Sequence, residues 1–195
     1  MPGPAKHLTP KQMKFAQLIV YGVEGVPISK TEAARLAGYG TPETLGSDRI
    51  AVLIAATVKF PNQDVLIFDS GTCLTFDYIT ERSLYYGGRI SPGLQMRFDA
   101  LHQFTDKLPK LSISSETPTI GTDTDSSIIS GVQSGIISEI ETIITDYKKE
   151  NPKINVIITG GDSIFLQRAL KNSIFVDPFL ALKGLNEILD YNELL

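Results

Sequence analysis

Tryptophan is absent from this 195-residue chain, cysteine occurs once and histidine twice. The single thiol, Cys73, excludes an internal disulfide and points to a reducing compartment, the cytoplasm. His7 and His102 have no partner at metal-ligand spacing, which argues against a zinc site. No apolar run approaches the roughly 18 to 20 residues of a membrane-crossing helix, and the N-terminus lacks the apolar core of a signal peptide. A formal charge of −4 provides no general attraction for nucleic acid. Internal repeats and coiled-coil heptads are also missing.

What is present is the composition of one globular domain, or of a domain with a small appendage: 42% hydrophobic and 21% charged residues. The charge is uneven. Up to Gly40 five basic residues (Lys6, Lys11, Lys14, Lys30, Arg35) face two acidic ones (Glu24, Glu32), so the remainder holds 13 basic and 20 acidic residues. The first segment, 1–40, reads as two short helices. Thr9 suits an N-cap and Pro10 a first helical position before Phe15, Leu18 and Ile19; Ser29 precedes Ala33, Leu36 and Ala37, and Gly38 ends the second helix. Residues 8–39, with LTPKQ, FAQLIV and SKTEAARLAGY, resemble the DNA-binding helix-turn-helix of phage terminase small subunits. A helical hairpin that merely covers a core fits the same pattern.

The second segment, 41–195, is organised around VLIFDSGTCLTFDYI, Val65 to Ile79. Val65 to Phe68 read as a strand buried on both faces, followed by a tight turn at Asp69 to Thr72 and a second strand. A carboxylate at a strand end can hold a cation, Gly71 permits close backbone approach, and the Thr72 hydroxyl can donate to a phosphate; an ordinary hairpin with a polar turn is the bland alternative. Ahead of it, Gly46, Ser47, Asp48 and Arg49 sit at a helix start, where N–H groups and the dipole favour an anion. Tyr85 and Tyr86 read as a strand end, Gly87 and Gly88 as a turn, and Ser91, Pro92 and Gly93 as the lead into an amphipathic helix that Leu108 and Pro109 end, whose Arg97 either reaches an anion or lies on the surface. Ser112 to Thr119 reads as a mobile loop. Thr124 is expected to cap a long helix, in which Gly131 and Gly135 suggest a closely packed backbone. Asn155 to Ile158 form a strand that Thr159, Gly160, Gly161 and Asp162 turn into a helix, a geometry common at nucleotides and at any tight strand-to-helix turn.

Taken in order, GSDRIA, DSGTCLTFD, YYGGRISPGLQMRFDALHQFTDKLP, IGTDTDSSIISG, TGGD and LALKGLNEIL closely resemble type III pantothenate kinases, over about residues 41–192 and with a Bacteroidetes-like texture around Gly88 to Pro109. The resemblance implies an α/β fold, the carboxy-terminal ribonuclease H-like half of an actin-like and sugar-kinase-like ATPase. It implies ATP-dependent phosphorylation of pantothenate to 4'-phosphopantothenate, the first step of coenzyme A biosynthesis, in a cytoplasmic homodimer. By the same resemblance Asp48 is the catalytic base; Gly46, Ser47, Asp48, Arg49 and Thr124 bind pantothenate; Gly71, Thr72, Gly160 and Gly161 bind ATP. Asp69 would hold a monovalent cation, K+ or NH4+, and Mg2+ would arrive with ATP.

One part of the family pattern differs. Members open with a strand and an Asp-x-Gly-Asn-Thr phosphate loop, whereas the helical segment stands before Gly46 here. The expectation is therefore a kinase by descent whose turnover depends on a missing first loop. The alternative is a helix-turn-helix DNA-binding protein with a degenerate kinase-like dimerisation domain.

Overall fold

The computed structural model of the chain describes residues 45–82 and 85–193. The helix-turn-helix reading of residues 8–39, and with it the boundary near residue 40, lies outside them.

The elements run α1 (Ser47–Lys59), β1 (Val65–Ser70), β2 (Cys73–Ile79), β3 (Tyr85–Pro92), α2 (Leu94–Gln103), α3 (Thr124–Glu150), β4 (Asn155–Thr159), α4 (Ser163–Ala169), β5 (Phe175–Val176) and α5 (Leu180–Glu193). Five strands form one sheet in the order β3-β2-β1-β4-β5. The two-residue connection at Gly71 and Thr72 folds β2 back on β1, as short hairpins must. β4 and β5 are parallel, with Ile157 opposite Phe175 and Ile158 opposite Val176, and α4 forms the crossover between them. This is the mixed α/β sheet expected of a ribonuclease H-like half.

Central position explains the composition of β1. Val65, Leu66, Ile67 and Phe68 are all fully buried, as a strand with both neighbours paired and both faces covered requires. The edge strand β3 tolerates what a central strand would not. Gly87 and Gly88, expected to form a turn, lie inside the continuous strand Tyr85–Pro92, with Gly87 at φ +93°.

The described residues group into two compact units. The first contains residues 45–65, 77–82, 85–87 and 179–193. Here α1 is buried almost all round, from Arg49 to Thr57, and α5 packs along it. The approach is close at one point: a Cβ on Gly184 would overlap the carbonyl oxygen of Ala51, so only glycine fits there.

The second unit contains residues 66–76 and 88–178. Its core joins Leu66, Ile67 and Phe68 of β1 with Phe98 of α2, Ile136, Ile140 and Ile144 of α3, and Ile157 and Ile158 of β4. Each such buried side chain contributes roughly 1.5 to 3 kcal/mol. Phe76 stacks at 5.3 Å from Phe68 and meets Tyr147 edge-on at 5.5 Å.

The cap of α3 is Asp123, one residue before the expected Thr124. Its carboxylate accepts from the Ser126 N–H at 2.8 Å, while the Ser126 hydroxyl accepts from the Asp123 N–H at 3.1 Å. A carboxylate that closes this reciprocal box outcompetes a lone hydroxyl. Among the described residues no backbone packs against Gly131 or Gly135. A Cβ on Gly131 would meet nothing, and one on Gly135 only the Arg97 guanidinium at 3.9 Å. Nor is the 112–119 segment left loose, since the fully buried Gln133 accepts from the Ser114 N–H at 2.7 Å and donates to the Thr117 hydroxyl at 2.5 Å.

Candidate functional site

In the first unit, the Gly-Ser-Asp-Arg segment makes the N-terminus of α1. Gly46 is the N-cap, with φ −62° and ψ 143°, and no side chain caps the helix. A Cβ on Gly46 would overlap Oδ1 of Asp48, so the glycine leaves room for that carboxylate to fold back over the cap. Ser47 and Asp48 are exposed. The carboxylate therefore sits in solvent at the positive end of a 13-residue helix, where anions are favoured.

Arg49, the next residue, points the other way. Its side chain is 7% exposed and its Nη2 lies 2.5 Å from Oδ1 of Asp77, whose side chain is fully buried. The Nε hydrogen is shared between both Asp77 oxygens at 3.2 Å. The Tyr85 hydroxyl closes the cluster, accepting from Arg49 Nη2 at 2.8 Å and donating to Asp77 Oδ1 at 2.7 Å. Charge-assisted pairing of this kind fixes the guanidinium and, with it, the first turn of α1.

In the second unit, two turns meet. One follows β1 and contains Asp69, Ser70, Gly71 and Thr72; the other follows β4 and contains Gly160, Gly161 and Asp162. Gly160 has φ +89°, and a Cβ there would overlap the Ser70 carbonyl oxygen and lie 2.5 Å from Oδ1 of Asp69. Glycine is thus required twice at this position, by dihedral and by space. The buried Ser70 hydroxyl donates to Oδ2 of Asp162 at 3.0 Å, and the Asp162 N–H donates to the Ser70 carbonyl at 3.1 Å. Burial pushes the Asp162 carboxyl above its ordinary value, against the Ser70 hydrogen bond that pulls it down. Ser163 is fully buried, and its hydroxyl finds no partner among the described residues.

Gly71 and Gly161 behave differently from Gly160. Among the described residues nothing lies within 4 Å of a Cβ at either, so these leave the space over both turns open. Thr72 is exposed, and its carbonyl accepts from the Gly93 N–H at 3.1 Å. A Cβ on Gly93 would overlap the Gly71 carbonyl oxygen, so the loop entering α2 lies hard against this turn.

Thr124 is exposed at the start of α3. It lines an apolar groove of about 1300 Å³ together with Met96, Leu101, Phe104, Ile128 and Val132. Arg97, at the same groove, is not free for a ligand: its Nη2 is 2.5 Å from Oε2 of Glu139, and its Nε donates to the Pro92 carbonyl at 2.8 Å. The fold therefore brings Asp69, Gly71, Thr72, Gly160 and Gly161 into adjoining turns, and leaves Asp48 beside its buried neighbour Arg49. Sequence reading missed Ser70, Asp77, Tyr85 and Asp162 as partners. Only the carboxylate of Asp77 within an otherwise apolar strand gave any signal.

Among the described residues no group of three or more His, Cys, Asp or Glu side chains could enclose a metal ion. The Asp69 carboxylate and the Ser70 carbonyl, both against Gly160, are oxygens of the kind hard cations take.

A sequence model of type III pantothenate kinase matches residues 16–146. A type III pantothenate kinase of Bacteroides fragilis is 49% identical over 154 residues, covering 79% of this chain and 63% of the relative. One of Cytophaga hutchinsonii is 48% identical, covering 79% of this chain and 66% of the relative. The chain thus spans less than two thirds of the length of these curated relatives. In three dimensions it resembles the crystal structure of a Campylobacter jejuni protein described as a Baf family transcriptional activator. The TM-score is 0.57 at 24% identity, over 78% of this chain and 67% of that one, a likeness of fold. With its G-S-D-R helix start and its D-S-G-T and T-G-G-D turns in this order, the chain belongs to the type III pantothenate kinase family.

Proposed function

We propose that the chain serves in the ATP-dependent phosphorylation of pantothenate. The observation that carries this reading is the closure of the D-S-G-T turn on the T-G-G-D turn in a chain of this family, with open space over Gly71 and Gly161. Phosphoryl transfer asks a protein mainly to position groups and to neutralise charge, and two adjoining glycine turns that let a phosphate approach the backbone suit that demand.

In this reading Gly71, Thr72, Gly160 and Gly161 hold ATP, which brings Mg2+ with it. Asp69 binds a monovalent cation, K+ or NH4+, which supplies fixed positive charge beside the phosphates. Gly46, Ser47, Asp48 and Thr124 contact pantothenate, and Arg49, buried against Asp77, serves only by fixing the helix start that presents the first three. Asp48 accepts the proton of the primary hydroxyl as its oxygen bonds to the γ-phosphorus, and the bond to the β-phosphate oxygen breaks to release ADP. A second copy of the chain covers the apolar groove beside Thr124, giving a homodimer, and the reaction takes place in the cytoplasm.

The test is transfer of labelled γ-phosphate from ATP to pantothenate in the presence of K+. Asp48→Asn is expected to lower turnover about 100- to 10,000-fold while leaving the fold intact, because the carboxylate is exposed. Absence of turnover by the unmodified chain at millimolar substrates sinks the catalytic reading.

A further inference from the structure

The turns after β1 and β4 are tied to one another by two of their own side chains, Ser70 and Asp162. Ser70 follows Asp69 directly, and Asp162 follows the glycine pair. Their two hydrogen bonds, hydroxyl to carboxylate at 3.0 Å and N–H to carbonyl at 3.1 Å, close a ring between the end of β1 and the start of α4. Gly160 lies inside this ring, with its Cα face against the Ser70 carbonyl and the Asp69 carboxylate. Ser70 is fully buried, so water cannot substitute for the hydroxyl's partner.

We propose that Ser70 and Asp162 are a positioning pair: by tying the turn after β1 to the turn after β4, they fix where the Asp69 carboxylate points, and so set how tightly that turn holds a monovalent cation beside ATP. The pair acts through Asp69 and touches neither cation nor nucleotide. The inference rests on the reading above that Asp69 is the cation ligand.

Three variants separate the tie from simple stability. Ser70→Ala removes the donor and Asp162→Ala the acceptor, whereas Asp162→Asn keeps an oxygen that Ser70 can reach. The full chain is titrated with K+ at fixed Mg-ATP by calorimetry, and amide hydrogen exchange is followed in parallel. Ser70→Ala and Asp162→Ala are each expected to raise the half-saturating K+ concentration about five- to tenfold, the worth of one buried hydrogen bond. The double variant is expected to do no worse than either single one. Asp162→Asn should stay within about twofold of the unmodified chain.

Exchange should rise together at the amides of Gly71 and of Gly160 to Asp162 in both alanine variants. An unchanged K+ curve with a lowered melting temperature would make the pair merely structural and overturn the proposal. So would an Asp162→Asn variant as impaired as Asp162→Ala, since the charge rather than the tie would then be acting. If the unmodified chain shows no K+-dependent ATP binding, the cation reading itself falls. Exchange still decides the tie in that case: faster exchange at one turn alone overturns the coupling.

Discussion

Arg49 and Asp77 form a buried ion pair, Nη2 to Oδ1 at 2.5 Å, with the two side chains 7% and 0% exposed. Such a pair is costly to assemble, because both charges leave water, and far costlier to break from one side. Asp77→Ala is expected to lower stability by about 3 to 5 kcal/mol, since the guanidinium is left buried without its counter-charge. Tyr85→Phe removes a hydroxyl that accepts from Arg49 and donates to Asp77, and should cost about 1.5 to 3 kcal/mol. Replacing both charges, Arg49→Met with Asp77→Leu, should recover much of the Asp77→Ala loss. Urea denaturation of the four proteins checks the order; equal losses in Asp77→Ala and the double variant would refute the ion-pair account.

The glycines of the two turns should respond in opposite ways. Gly160→Ala forces a left-handed residue and a Cβ overlap with Ser70, a loss of at least about 1 to 2 kcal/mol. Gly71→Ala and Gly161→Ala meet nothing and have no positive φ, so stability should be kept or raised by up to about 1 kcal/mol. ATP affinity is the second readout. If phosphates lie over these turns, the two stable variants bind ATP more weakly, and unchanged binding would place the nucleotide elsewhere.

Acid should loosen the loop between α4 and β5. Burial pushes the Glu141 carboxyl upward, but the N–H groups of Asn172 and Lys171 and the Asn172 side chain outweigh it and hold the carboxyl below its ordinary 4.5. A depressed carboxyl stabilises the fold above the unfolded value and loses that contribution as pH falls through the folded one. Hydrogen exchange at the Lys171 and Asn172 amides should therefore rise as pH drops below about 4.5, after correction for the intrinsic rate. In Glu141→Gln the same amides should be less protected at neutral pH and lack that step. A step that persists in the variant would assign it to another group.

Phe104 is 80% exposed at the mouth of the apolar groove, and Met96 is 37% exposed beside it. If a second copy covers this face, sedimentation should give twice the chain mass, and Phe104→Glu should return it to that of one chain. A dimer that survives Phe104→Glu would move the interface to another face.

The kinase ancestry was legible because its marks are local. D-S-G-T, T-G-G-D and G-S-D-R are contiguous stretches whose glycines and carboxylates announce turns and helix starts, and the apolar run of Val65 to Phe68 announces a central strand. Period and capping likewise placed α3 to within a residue or two, whereas α2 stops at Gln103, short of the expected end at Leu108 and Pro109. Misreadings arose where two local solutions compete. Asp123 took the cap from Thr124 because a reciprocal box satisfies two donors, and Gly87 stayed in an edge strand because an edge tolerates it.

Pairings distant in sequence were decided only by folding. Arg49 reads as an exposed ligand beside Asp48, yet helical geometry turns it inward to a carboxylate 28 positions away. Ser70 and Asp162, 92 positions apart, look like ordinary turn residues until the parallel addition of β4 brings their strand ends together. A one-dimensional pattern records which face each residue occupies, but which donor meets which acceptor depends on strand order and on how closely glycine lets two backbones approach.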